Sequence, residues 1–169
     1  TLVFLTGDEG FSFDNNDELG RGWHWSTHDP AGLDQALLWY GDPETGDFDF
    51  GDHAGTARSP LLELPDGQVT LRFDLFVDTE VKTTSYDILT LTAYLGPDLA
   101  EAQVLWTKAE LPAFSQWVTV QVDLSAAAGR PVTLAWRYDT GDSINNTGAG
   151  VFLDNVLITA TCDAKPSED

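Results

Sequence analysis

An all-β fold, a jelly-roll sandwich of two antiparallel sheets, is what this sequence predicts. Three observations predict it: runs in which apolar and polar residues alternate with period two, turn residues that close each run, and the lack of any segment with a helical period. The clearest run starts at Val69. Val69, Leu71, Phe73, Leu75 and Val77 alternate with Thr70, Arg72, Asp74, Phe76 and Asp78, the mark of a long strand with one face turned to a core. Leu89, Leu91, Ala93 and Leu95 share a face in the next strand, the turn Gly96-Pro97-Asp98 ends it, and the short run Val104-Leu105-Trp106 follows. Val118, Val120, Val122 and Leu124 then alternate with Thr119, Gln121 and Asp123, and the stretches 132–138 and 151–159 supply two more strands. Ser125-Ala126-Ala127-Ala128 has room for one helical turn before Gly129 and Pro131 close it.

The first 60 residues read differently. They hold 12 acidic and 2 basic residues and little periodicity beyond short apolar pieces at 2–5 and 36–40, so they are expected to form long N-terminal loops. Loops of that length are usually functional or need something to order them. The chain is therefore read as one domain over 1–160 with a tail or linker at 161–169. It begins at Thr1 without an initiator Met or a signal region, which reads as a mature segment or a domain of something longer.

Composition narrows the function. A chain of 169 residues with 42% apolar and 11% aromatic residues, 6 of them Trp, is a folded domain and not a disordered acidic tail. Its net charge of −20 repels a phosphate backbone and an anionic membrane surface, which argues against nucleic acid and against membrane binding. No apolar stretch approaches the roughly 20 residues a bilayer span needs. The single Cys162 makes no internal disulfide, and Asp163 beside it disfavours a nucleophilic thiolate.

Asp154 is the first candidate site residue. On a strand it shares a face with Phe152, Val156 and Ile158, so its carboxylate points among apolar side chains and must find a cation, a set of donors or a proton. With 8 basic residues in the chain, a metal ion is one such partner, and backbone amides near a strand end are another. Acids that can converge on it lie in loops, namely Asp8, Glu9, Asp42, and the Asp47, Asp49 and Asp52 group. Carboxylates on flexible loops suit calcium better than zinc. The run Asp47 to Asp52 is not an EF-hand, because Phe50 takes a ligand position and the closing Glu is missing. His24 and His28 have i, i+4 spacing, but Pro30 and Gly32 argue against a zinc helix. Trp23, Trp25, Trp39 and Tyr40 are candidates for stacking on sugar rings, with core packing as the other reading. Neither a nucleophile elbow nor a phosphate loop is present.

The order of motifs resembles the MAM-like or galactose-binding-like jelly-roll domains of secreted bacterial proteins, especially those of the immune inhibitor A type and cleaved-adhesin modules. The resemblance rests on Leu38-Trp39-Tyr40-Gly41-Asp42-Pro43, on Gly55 to Leu64, on Val69 to Val77 followed by Asp78-Thr79-Glu80, and on Tyr86-Asp87. It continues through Trp117, Val122-Asp123-Leu124-Ser125 and Ala128-Gly129, and ends on Gly150 and Leu153-Asp154-Asn155-Val156. It implies a non-catalytic, calcium-stabilised accessory or adhesion domain, secreted or on a bacterial cell surface, that binds carbohydrate, a protein partner or a neighbouring domain. It also implies a structural calcium on Asp154 with Asp8 or Glu9, and a second acidic pair at Glu80 and Asp87. A jelly-roll enzyme acting on polysaccharide through paired carboxylates, and a purely structural spacer, are the rival readings. The acidity alternatively reflects a salt-rich habitat.

Overall fold

The computed structural model describes residues 7–17, 19–29, 36–80, 85–96, 98 and 100–161. Cys162 and the rest of the tail lie outside the described residues. Eleven strands form: β1 (Ser12–Asn15), β2 (Gly22–Ser26), β3 (Leu37–Gly41), β4 (Ala54–Arg58), β5 (Leu62–Glu63), β6 (Gln68–Asp78), β7 (Ile88–Leu95), β8 (Glu101–Thr107), β9 (Trp117–Asp123), β10 (Pro131–Asp139) and β11 (Gly150–Thr161). They make two antiparallel sheets facing each other. One runs β1-β4-β10-β7-β8 with β5 beside β10, and the other runs β2-β3-β11-β6-β9. The chain switches sheet at most connections, the jelly-roll pattern expected from the alternation. Among the described residues no helix is long and apolar enough to cross a membrane.

The strands from β6 onward match the alternating runs, because each such strand has one face in the core between the sheets. Leu71, Phe73 and Leu75 of β6, Leu89, Leu91 and Ala93 of β7, Leu134 and Trp136 of β10, and Val151 and Leu153 of β11 all enter that core. The single turn at Ser125–Ala127 is also present, as a 3-10 turn.

The N-terminal region departs from expectation. In place of long loops alone, residues before Gly67 contribute β1 to β5, and β3 is a central strand buried on both sides. Alternation is lost where both faces are covered, so Leu37-Leu38-Trp39-Tyr40 read only as a short apolar piece. In β4 the small residues answer crowding: a Cβ on Gly55 would run into the Asn15 amide and come within 2.9 Å of the Tyr40 ring.

Candidate functional site

The outer face of the five-stranded sheet carries an aromatic row that crosses every strand. His24 of β2 is in register with Trp39 of β3, Trp39 with Phe152 of β11, Phe152 with Phe76 of β6, and Phe76 with Trp117 of β9. Successive ring centroids are 5.1, 5.6, 5.7 and 5.8 Å apart, and the Trp39 and Phe152 planes are stacked within 7°. A solvent-side sheet face is ordinarily polar, so this row forms a second apolar cluster, separate from the core between the sheets. Its centre is covered. Trp39 is 1% and Phe152 0% exposed, and the His28 ring lies 4.5 Å from Trp39 and 5.9 Å from Phe152. The row opens toward Trp117, which is half-buried at the edge of the sheet.

Glycines make room for the row. A Cβ on Gly41 would collide with the Trp39 indole, which instead lies across that position and donates from Nε1 to the Ala149 carbonyl at 2.8 Å. Burial and the His28 charge push the His24 pKa down, against a bond between Nδ1 and the Gly22 carbonyl of 2.8 Å. Among the described residues, His24 Nε2 and Trp117 Nε1 are buried and meet no hydrogen-bond partner.

Two residues further along the strands, the aromatic row gives way to hydrogen-bonding groups. Asp154 faces Asp74 across β11 and β6, and Asp74 faces Thr119 across β6 and β9. Thr119 Oγ1 donates to Asp74 Oδ1 at 2.6 Å, Asn155 Nδ2 donates to Asp74 Oδ2 at 2.9 Å, and the Asn155 amide donates to Asp154 Oδ1 at 2.7 Å. Burial pushes the Asp154 pKa up, the Asn155 amide opposes it, and the charges of Asp74 and Asp29 add to the rise.

Asp154 corrects one expectation. It does share the face of Phe152, but Val156 and Ile158 point the other way, into the core between the sheets. The pairing of β11 with β6 slips between Asp154 and Leu157, and Asn155 takes a positive φ of 51°. This β-bulge inserts an extra residue, so the alternation changes phase there.

The other acids expected to join Asp154 lie apart from it. Asp8 and Glu9 form the turn that enters β1 in the opposite sheet, where Asp8 Oδ1 accepts from the Gly10 amide at 3.0 Å. Asp42 follows β3 and accepts from the Glu44 amide at 2.8 Å. Glu80 and Asp87 do meet, through the Glu80 amide donating to Asp87 Oδ2 at 2.7 Å, but a cation of the chain already stands beside them. The buried Lys108 Nζ donates to the Glu80 carbonyl at 2.8 Å and to Thr79 Oγ1 at 3.4 Å. Burial pushes the Lys108 pKa down while the Asp87 and Glu80 charges oppose it, and burial pushes Asp87 up. Asp87 and the neighbouring Tyr138 hydroxyl are buried side by side, and the hydrogen bond between them opposes the rise that burial gives Asp87. Among the described residues no three His, Cys, Asp or Glu side chains come together as a metal site would need. Among the described residues, then, Asp154 is not joined by Asp8 or Glu9 as the resemblance implied.

The aromatic candidates also divide. Trp23 and Tyr40 are 1% exposed and belong to the core between the sheets, where Tyr40 bonds His53 Nδ1 at 2.6 Å. Neither reaches a ligand. Trp39 sits in the covered part of the aromatic row, and Trp25, 38% exposed, is the one on the surface. Sequence reasoning missed Phe76, Phe152, Trp117 and Asn155. A signal was present at Phe76, an aromatic in the polar phase of β6 between Asp74 and Asp78.

No protein-family model matches this chain, and no curated protein matches it. Solved structures do match. The K1 cleaved adhesin domain of Lys-gingipain from Porphyromonas gingivalis W83 superimposes with a TM-score of 0.61 at 19% identity, over 95% of this chain and 97% of that one. The carbohydrate-binding module TmCBM61, solved with β-1,4-galactotriose, gives 0.59 at 9% identity over 95% and 100%. A carbohydrate-binding module of the β-sandwich superfamily, studied for promiscuous specificity, gives 0.56 at 10% identity, and this chain spans 57% of its length. At these identities the likeness is one of fold: the chain is a jelly-roll β-sandwich of the kind found in carbohydrate-binding modules and cleaved-adhesin domains.

Proposed function

We propose that this is a non-catalytic binding domain that takes carbohydrate on the outer face of its five-stranded sheet, as an accessory or adhesion domain of a secreted or cell-surface bacterial protein. One observation carries the reading: an aromatic row in register across all five strands, flanked by a row of hydrogen-bonding side chains. A sugar ring has an apolar face and a polar edge, and a strip of rings beside amides, hydroxyls and carboxylates answers both. The open end is where a ligand lands. Trp117 offers the ring, and Thr119, Asn155 and Asp74 offer donors and acceptors within the same stretch of β9, β11 and β6. The names of the similar structures support the same ligand class.

The test is a glycan array followed by calorimetry with the soluble hits. Trp117→Ala should abolish detectable binding, since base- or sugar-type stacking and ring burial contribute on the order of 1–3 kcal/mol at a single platform. Absence of binding to every glycan, with tight association to the remainder of the parent protein, would favour a spacer instead.

A second reading has its own observation. Asp74 and Asp154 are directly opposed, which in antiparallel strands brings Cβ atoms about 4.5–5.5 Å apart, and burial pushes the Asp154 carboxyl up. A pair of that kind can act as acid and base in glycoside cleavage. Release of reducing ends from any polysaccharide, lost in both Asp74→Asn and Asp154→Asn, would establish an enzyme and overturn the non-catalytic reading.

A further inference from the structure

At one end of the sandwich, the β1–β2 turn and the β3–β4 loop enclose a cleft lined by Leu19, Arg21, Asp42, Pro43 and Glu44, with a volume of about 190 Å³. Its polar groups are held in place before any ligand arrives. Asp17 Oδ2 accepts from the Arg21 amide at 3.0 Å and from Nε at 3.1 Å, and Oδ1 accepts from Nη2 at 2.6 Å. The guanidinium carbon stands 4.7 Å above the Phe50 ring, which itself stacks on His53 at 3.5 Å. Arg21 is therefore fixed from the side and from below, and its Nη1 is directed to Asp42, whose Oδ2 lies 3.9 Å away. That distance is too long for a hydrogen bond.

Asp42 is equally constrained. It is 7% exposed, its amide donates to the Asp47 carbonyl at 2.7 Å, its carbonyl accepts from Gly46 at 2.8 Å, and its Oδ1 accepts from Glu44. Among the described residues Oδ2 is left with the long contact to Arg21. Beside this unused pair of donor and acceptor stand Leu19, the most exposed large apolar residue at 79%, and Pro43, also exposed.

We propose that this cleft is a second binding site, for a single sugar ring or a comparable neutral polyol. The chemistry selects the class. Asp42 and Glu44 repel an anion, and Arg21 already stands as the cation between Asp17 and Asp42, which disfavours a metal ion or an amine. A donor held next to an acceptor matches vicinal hydroxyl groups, each of which both donates and accepts. The apolar wall of Leu19 and Pro43 suits the C–H face of a ring. The volume is below the roughly 300–1,000 Å³ of a drug-sized pocket, which admits one ring and not an oligosaccharide. A site of this size reads the terminus or a branch of a glycan, a role separate from the extended sheet face.

The experiment is an amide NMR titration of the whole chain with free monosaccharides and with inositol, alongside arms with putrescine and with calcium chloride. Saturable shifts confined to residues 19–21 and 42–44 are expected with at least one neutral polyol. Asp42→Asn, which keeps the side chain's shape and the acceptor for the Glu44 amide, should weaken that binding about tenfold, the usual effect of losing a hydrogen bond to a charged group, and the exposed change Leu19→Ala should weaken it as well. Trp117→Ala should leave it unchanged, so this site and the sheet face fail or succeed separately. No response at these residues to any neutral polyol, a response to putrescine or calcium only, or full binding by both Asp42→Asn and Leu19→Ala would each overturn the proposal.

Discussion

Replacing Lys108 by Met tests the claim that the chain supplies its own cation to the Glu80 and Asp87 pair. Lys108 is 4% and Asp87 1% exposed, so neither charge is relieved by water. The ammonium donates to the Glu80 carbonyl at 2.8 Å, and its charge opposes the upward push that burial gives Asp87. Removing the cation leaves the Glu80 carbonyl without its donor and Asp87 without the charge that opposes its burial, a loss of about 1–3 kcal/mol. For a chain of 169 residues each kcal/mol moves the midpoint by about 2–4 °C, so Lys108→Met should lower it by about 2–12 °C. The isosteric change Asp87→Asn, made in the Lys108→Met background, should recover much of the loss, with a coupling energy of about 0.5–3 kcal/mol. The pH dependence gives an independent sign. A carboxyl whose native pKa is raised holds its proton more tightly folded than unfolded, so stability rises as the pH falls through the native value toward the unfolded value near 4. That gain on acidification should steepen in Lys108→Met. Urea unfolding from pH 4 to 8 measures all of it. A loss under about 1 kcal/mol, or no recovery from Asp87→Asn, would refute the reasoning.

Asp154→Asn should raise the midpoint by about 2–4 °C at neutral pH, because it removes a charge that burial disfavours and keeps an acceptor for the Asn155 amide; thermal unfolding against pH should show the native protein gaining stability on acidification through the raised Asp154 value and the variant flat there. Calcium and magnesium, added after chelation at equal ionic strength, should move the midpoint alike, and a calcium-selective rise that Asp154→Ala removes would refute the geometry of the acids. Gly41→Ala should cost about 1–3 kcal/mol and reduce the near-ultraviolet circular dichroism of the stacked Trp39 and Phe152, since its methyl group occupies the indole's place. At the bulge, Asn155→Gly should stay within about 1 kcal/mol of the parent, whereas Asn155→Val should lose about 1–2 kcal/mol to the left-handed conformation, read by denaturant titration.

What was legible in the sequence follows from which faces are buried. A strand with one covered face writes that fact as alternation, so β6, β7 and β9 could be placed between Val69 and Asp123. A strand covered on both faces does not, which hid β3, and a strand of small residues under steric crowding, such as β4, carries no hydrophobic signal at all. The candidate site was hidden for a further reason. Its row joins residues from five separate strands, and only the register of pairing brings His24, Trp39, Phe152, Phe76 and Trp117 into line. Register is not a local property of any strand.

The bulge at Asn155 ties these two points together. Strict alternation through β11 would place Asp154 with Val156 and Ile158, and the carboxylate would then lie in the core between the sheets, where it would need a cation, a set of donors or a proton. The extra residue reverses the phase after Asp154. Val156 and Ile158 can then fill the core with the same polarity of pattern as Val151 and Leu153, while Asp154 remains on the outer face beside Asp74. The calcium expectation joined that first geometry, in which a metal ion was one partner for the acid and backbone amides were another, to the resemblance. In the second geometry its Oδ1 has the Asn155 amide, and the Asn155 side chain reaches across to Asp74. One residue in a left-handed conformation thus turns an acid that needed a partner into part of a polar row beside the aromatic strip, and a bulge placed there re-aims a side chain toward a surface where a ligand can use it.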